Sequence, residues 1–271
     1  MNKNIAFIGA GSMAEAIISG IVKAEILHKE QIIVTNKNNQ ERVRQLQQKY
    51  EIRSMMDKEK VVREADIIIL ATKPYDLKNA VETIKAYIKP NQLIISVIAG
   101  ISTDHISDLI EGDFPVVRTM PNTSATIGYS ATAVTAGKFA TEEHLEQAKA
   151  LFQTIGTTTI VDEADMHTVT GISGSGPAYI YYFVEAMEKA AVEFGLDQDV
   201  ARKLVIQTIV GAGEMLQHSG ESASTLRKKI TSPAGTTAAG IDTLDQYHFE
   251  EIMKQCVQSA RERSIELGKK E

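Results

Sequence analysis

The chain has 271 residues, enough for one large domain or two unequal ones. Hydrophobic residues make up 43% and charged residues 24%, which excludes disordered, collagenous and low-complexity classes. A net charge of −6 leaves no broad basic face for sequence-independent nucleic-acid binding. The single cysteine, Cys256, rules out an internal disulfide and a cysteine-based zinc site, and fits a reducing compartment. No apolar run approaches the roughly 20 residues of a membrane-spanning helix. After Lys3 the apolar stretch is broken by Glu15 and by glycines up to Gly20, so a cytoplasmic location is expected.

In chain order, short apolar runs at Ile5–Ile8, Ile32–Thr35, Ile67–Ala71, Leu93–Val97, Val116–Thr119 and Thr157–Val161 read as strands, several of them β-branched on consecutive positions as strands buried on both faces should be. Helical patterns lie between them: Met13–Lys23, Gln40–Lys49, Tyr75–Ile88, Thr103–Ile110 and Glu142–Thr154. This alternation predicts an α/β domain, a Rossmann-type doubly wound sheet, over residues 1–162. Beyond about Asp165 no further strand is expected, so 163–271 reads as an all-helical domain. Ile180, Phe183, Val184, Met187, Ala191 and Phe194 recur at helical spacing up to Gly195. A second helix carries Leu204, Val205, Ile209 and Met215, and a third Phe249, Ile252, Met253, Cys256 and Ala260. The stretch Tyr179–Phe183 is apolar on every side, which predicts a partner subunit to cover it.

Gly9-Ala10-Gly11-Ser12-Met13-Ala14 follows a strand and opens a helix, the context that G-x-G-x-x-A requires to hold a dinucleotide pyrophosphate. Gly9 permits the turn, Gly11 lets the backbone approach the phosphates, and Ala14 allows close helix–sheet packing. The helix start offers free N–H groups. At the end of the second strand, Asn36 and Lys37 stand where an NAD site carries a carboxylate, so a 2′-phosphate is favoured; Lys37 also reads as an ordinary solvated lysine. The Ala71-Thr72-Lys73-Pro74 turn and Val97-Ile98-Ala99 lie at carboxyl ends of strands, where open sheets bind ligands, although Pro74 equally suits a helix's first turn.

Met120-Pro121-Asn122-Thr123 is a proline-enforced turn at the same edge. In the helical half, Ser173-Gly174-Ser175-Gly176-Pro177 is an unusual entry to an apolar helix, readable as a cap or as a close backbone approach. Ser232-Pro233-Ala234-Gly235-Thr236-Thr237 places hydroxyls and a glycine at a helix start, a nest of N–H groups able to hold a carboxylate. The histidines show no metal-ligand spacing, so no metal site is expected. His167, near the domain junction, reads as a capping or packing residue, with a role as an acid the alternative.

The ordered blocks IGAGSMAEAI, ATKP, RTMPNT, SGSGPAY and TSPAGTTAAG resemble the pyrroline-5-carboxylate reductase family over nearly the whole chain, the last two being its specific part. The resemblance implies a Rossmann domain followed by a helical dimerisation domain, and NADPH-dependent reduction of a cyclic imine, with NADH as alternative donor. It implies cofactor contacts at Gly9, Ala10, Gly11, Ser12, Met13, Asn36, Ala71, Thr72, Lys73, Pro74, Val97, Ile98 and Ala99, to which the strand-end pattern adds Lys37. Asp57 falls where the family often has Asn near the adenosine ribose. The implied substrate groups are Ser232, Gly235 and Thr236, with Ser175, Gly176 and Asn122, and Thr237 is the implied catalytic hydroxyl. Ala234 departs from a more usual glycine and Ser124 from a common proline. Lys228 stands in place of an acidic residue.

Two other readings remain at this level. A hydroxyacid dehydrogenase of similar layout needs a lysine on the second domain; Lys189 and Lys203 qualify only by position, and SGSGPAY is left unexplained. A cofactor-binding protein without turnover would be marked by loss of the Ser232–Thr237 hydroxyls, which are present.

Overall fold

The computed structural model describes residues 3–269. Eight strands form one sheet: β1 (Ile5–Ile8), β2 (Ile32–Thr35), β3 (Arg53–Ser54), β4 (Ile67–Leu70), β5 (Leu93–Ser96), β6 (Val116–Met120), β7 (Ser130–Ala136) and β8 (Gly156–Ile160). Their order is β3-β2-β1-β4-β5-β6-β7-β8, parallel throughout except for the β6–β7 pair. The helices around the sheet are α1 (Ser12–Lys23), α2 (Gln40–Tyr50), α3 (Lys58–Glu64), α4 (Leu77–Glu82), α5 (Thr103–Ile110), α6 (Glu142–Phe152) and α7 (Met166–Val169). Helices α8 (Gly176–Glu193), α9 (Gln198–His218), α10 (Ala223–Lys229), α11 (Thr236–Gln246) and α12 (Phe249–Lys269) follow.

The central strands are aliphatic on consecutive positions because both faces are covered. Ile5 and Phe7 point into one core with Ile17, Ile18 and Leu46. Ala6 and Ile8 point into the other with Val61, Leu77 and Ile106. Each fully buried isoleucine contributes on the order of 2 kcal/mol. Strand β1 is flanked by β2 and β4, so the chain winds away from it in both directions, and the carboxyl ends of β1 and β4 open a crevice.

Several elements depart from the sequence expectation, α3 among them. Strand β7 was unannounced, because SATAVTA carries alanine, serine and threonine where a strand signal relies on bulk. It is buried by its neighbours rather than by its own size. The segment expected as one helix, Tyr75–Ile88, is a short α4 between the 3-10 turns Pro74–Asp76 and Lys85–Tyr87. The two-residue β3 is too short to carry any periodicity.

The chain separates into two compact units, one running to Ser175 and taking back the segment from Gln258, the other spanning Gly176–Val257. The boundary drawn at 162/163 follows the last strand, whereas compactness keeps α7 and the end of α12 with the sheet. Buried Arg118 on β6 pairs with Glu163, 3.3 Å away. Glu163 also accepts from the Thr103 N–H (2.8 Å) and hydroxyl at the start of α5. His167 Nδ1 meets the Ser264 hydroxyl at 2.9 Å, and Arg261 Nε donates to Thr168 Oγ1 at 3.2 Å. Gly100, at φ +85°, lies so close to α12 that an added Cβ would come 3.1 Å from the Ser264 carbonyl.

Within the second unit, α8 and α9 keep Ala201 and Val205 buried. Tyr181, Tyr182, Phe194 and Leu204 stay exposed, Phe194 at 86%. Such a density of exposed apolar side chains is the mark of an association surface.

Candidate active site

The crevice is a cleft of about 690 Å³ lined by the ends of β1 and β2 and by the turns that follow β1, β2, β4 and β5. It gathers Gly9, Ala10, Gly11, Ser12, Met13, Asn36, Lys37, Ala71, Thr72, Lys73, Pro74, Val97, Ile98 and Ala99. Gly9 has φ +120°, and an added Cβ would lie 2.4 Å from the Ala71 carbonyl oxygen. The turn thus needs glycine twice over, for its backbone angle and for its closeness to the β4 turn. Gly11 is different: its φ is −75°, and a Cβ there would meet nothing within 4 Å. What glycine preserves at that position is space in the cleft.

Gly11 is also the N-cap of α1, and no side chain caps the helix. The first-turn N–H groups therefore have neither an intrahelical partner nor a side-chain one, as an anion site requires. The loop is held from outside by Arg42 on α2, whose Nε donates to the Ala10 carbonyl at 3.0 Å. Arg42 also pairs with Glu15. Lys49 (2.8 Å) foremost, with Arg42 and the Tyr50 hydroxyl (3.0 Å), outweighs burial and holds the Glu15 carboxyl down at about 2. No sequence signal announces Arg42, which is 32 residues from its partner.

The residues fit a dinucleotide by a further test. Thr35 Oγ1 and Thr72 Oγ1 are buried hydroxyls with no partner among the described residues, and both threonines line the cleft. Native structures rarely leave such groups unsatisfied except where a ligand or water meets them.

Asp57 is the one cofactor residue of the resemblance that is not among the lining residues. Its carboxylate accepts from the Lys60 N–H at 3.2 Å and caps α3. Lys58, next in sequence, lines the cleft, as do Thr35, Asn38, Asn39, Asp76, Asn79 and Thr123.

Asn122 is 8% exposed, and both ends of its amide are engaged. Oδ1 accepts from the Ser124 N–H and Nδ2 donates to the Ser173 carbonyl, each at 3.0 Å. Gly174 permits close packing, since a Cβ there would come 2.8 Å from Met120 Cε. Asn122 thus joins the turn after β6 to the SGSG segment. That segment is not a simple serine-capped helix start: Thr170–Gly174 is a π-helical turn, closed by Ser175 N–H donating to the Thr170 carbonyl at 2.8 Å. Gly176 opens α8 in the second unit.

Ser232, Gly235, Thr236 and Thr237 lie together in the second unit where α11 begins. Gly235 N–H donates to the Ser232 carbonyl at 3.0 Å, closing a turn in which a Cβ on Gly235 would come 2.4 Å from Ser232 Oγ. Gly235 is the N-cap and no side chain caps α11, so the first N–H groups of that helix are open to an anion. Ala234 sits at φ +58°, a left-handed conformation that costs an L-residue about 1–2 kcal/mol. Ala234→Gly is expected to raise unfolding free energy by about 0.5–1 kcal/mol, the relief being partly offset by unfolded-state entropy. Urea denaturation checks this, and a stability loss would contradict the left-handed assignment.

Comparison with known proteins places the chain. A family model described as "Pyrroline-5-carboxylate reductase dimerisation" matches residues 163–267, and one described as "NADP oxidoreductase coenzyme F420-dependent" matches residues 4–100. The chain is 46% identical over 265 residues to pyrroline-5-carboxylate reductase 2 of Bacillus subtilis, covering 98% of this chain and 95% of that one. It is 37% identical to the pyrroline-5-carboxylate reductase of Staphylococcus haemolyticus, with 98% of each covered. Among solved structures, a pyrroline-5-carboxylate reductase from Coxiella burnetii superposes with TM-score 0.91 at 30% identity, covering 98% of this chain and 99% of that one. The Plasmodium falciparum pyrroline carboxylate reductase, solved with NADP bound, gives 0.87 at 30% identity and 98% of both chains. Fold and cleft define an NAD(P)H-dependent oxidoreductase with a Rossmann-type domain and a helical dimerisation domain. Within that class, the chain belongs to the pyrroline-5-carboxylate reductase family.

Proposed function

We propose that this protein reduces the C=N bond of 1-pyrroline-5-carboxylate to give L-proline, the last step of proline biosynthesis. NADPH is the donor and NADH the alternative. The observation that carries the reading is likeness to named pyrroline-5-carboxylate reductases along nearly the entire chain, with every hydroxyl of the Ser232–Thr237 loop retained. Residues 1–162 hold the cofactor and residues 163–271 supply the substrate loop and subunit contacts. The enzyme works as a homo-oligomer, a reading supported by the exposed apolar side chains of α8 and α9. Among the described residues no helix is long and apolar enough to cross a membrane, which supports a cytoplasmic setting.

The chemistry asks little of acid–base groups. When bound, the nicotinamide supplies the hydride that the imine carbon accepts. The protein orients the ring and stabilises the proton at nitrogen; correct placement is worth up to about 7–11 kcal/mol. The uncapped N–H groups at the start of α11 bind the substrate carboxylate, and the half-buried Thr237 hydroxyl hydrogen-bonds the ring nitrogen. Gly9–Met13 cradle the pyrophosphate, with Asn36 and Lys37 at the adenosine ribose. Ser175, Gly176 and Asn122 are further substrate-binding groups in this reading.

The test is the fall in absorbance at 340 nm when NADPH and pyrroline-5-carboxylate are mixed with the protein, with proline quantified. Stoichiometric proline is expected. Absence of substrate-dependent consumption of both NADPH and NADH would overturn the reading.

A further inference from the structure

The charged residues lining the cleft are three lysines, Lys37, Lys58 and Lys73, against one carboxylate, Asp76, in a chain of net charge −6. Lys37 and Lys58 line this same cleft. Lys58 is half-buried, and burial first, then the Lys37 charge, lower its pKa. Its Nζ donates to Thr83 Oγ1 at 2.9 Å, and Thr83 Oγ1 donates onward to the Ala80 carbonyl at 2.7 Å. A neutral hydroxyl thus steers the ammonium.

The neighbouring carboxylate is turned to other use: Asp57 accepts from the Lys60 N–H. Two lysines that line one cleft, with no carboxylate acting on Lys58, form an arrangement that a doubly charged anion stabilises. Asn36, beside them at the end of β2, adds an amide donor.

We propose that Lys58 is a specificity-determining residue: with Lys37 it forms a phosphomonoester subsite that selects the 2′-phosphorylated form of the dinucleotide. This rests on the NADPH reading above and adds to it a residue from outside the glycine-rich and β2-end motifs. The short segment after β3 carries two charges with separate tasks, Asp57 closing α3 and Lys58 facing the cleft.

Calorimetric titration of the full chain with 2′,5′-ADP and with 5′-ADP tests it without turnover. The wild type is expected to bind 2′,5′-ADP more tightly. Lys58→Met, which keeps the apolar stem, should weaken 2′,5′-ADP about tenfold and change 5′-ADP by less than about twofold, as loss of one charge-assisted contact predicts. Lys58→Arg should retain most of the preference, and the preference should shrink as salt is raised. An unchanged preference in Lys58→Met overturns the inference while leaving the NADPH reading standing. Equal weakening of both nucleotides also overturns it, since Lys58 would then be structural. A wild type that binds the two nucleotides equally removes the NADPH preference itself, and the inference with it.

Discussion

Thr237→Val is expected to lower kcat for pyrroline-5-carboxylate about 100-fold, with the dissociation constant of NADPH unchanged within about twofold. Valine keeps the β-branched shape at the start of α11 and deletes only the hydroxyl. Thr237 sits in the second compact unit, and the nucleotide cleft is lined entirely from the first. Cofactor affinity and turnover therefore report on different parts of the chain. Thr237→Ser restores the hydroxyl and should recover most of the rate. If the serine variant is as slow as the valine variant, the hydroxyl alone does not account for the residue. If both are as fast as wild type, Thr237 is not catalytic.

Gly9→Ala should abolish measurable NADPH binding, a loss of more than about 100-fold, and destabilise the chain by about 3 kcal/mol. Its Cβ would collide with the Ala71 carbonyl at 2.4 Å, and φ +120° excludes an ordinary L-residue. The informative partner is Gly11→Ala, at φ −75° with open space around the added carbon. That variant should unfold at the wild-type denaturant concentration and yet bind NADPH more weakly, because the methyl group occupies space left for the pyrophosphate. Titration of NADPH fluorescence, paired with denaturation, separates the two cases. Equal stability losses would show that Gly11, too, serves packing alone.

The pair also shows what was legible in the sequence. The turn from β1 into α1 is local, so its glycines, the apolar strand before it and the amphipathic helix after it all lie within a short window. The placement of Ala71–Pro74 and Val97–Ala99 in the same cleft follows from strand order, because parallel strands present their carboxyl ends on one side. The start of α11 was equally local, and the left-handed angle at Ala234 is the conformation that glycine adopts at least cost.

Other features depend on contacts that no window contains. Arg42 reaches the Ala10 carbonyl from α2. Glu163 caps α5 from 60 residues away while pairing with Arg118 on β6. The end of α12 returns to the sheet-bearing unit, although its helical pattern is continuous from Phe249. Asp57 and Lys58 are neighbours whose duties differ because one side chain meets a helix N–H and the other lines a cleft, which is a matter of direction rather than composition.

The most direct measurement on the central claim is a crystal structure of the protein with NADP and L-proline. Proline's carboxylate is expected on the N–H groups that open α11 and its ring nitrogen within hydrogen-bond distance of Thr237 Oγ1. A carboxylate held instead by an arginine or lysine side chain, with Thr237 out of reach of the ring, would contradict the account.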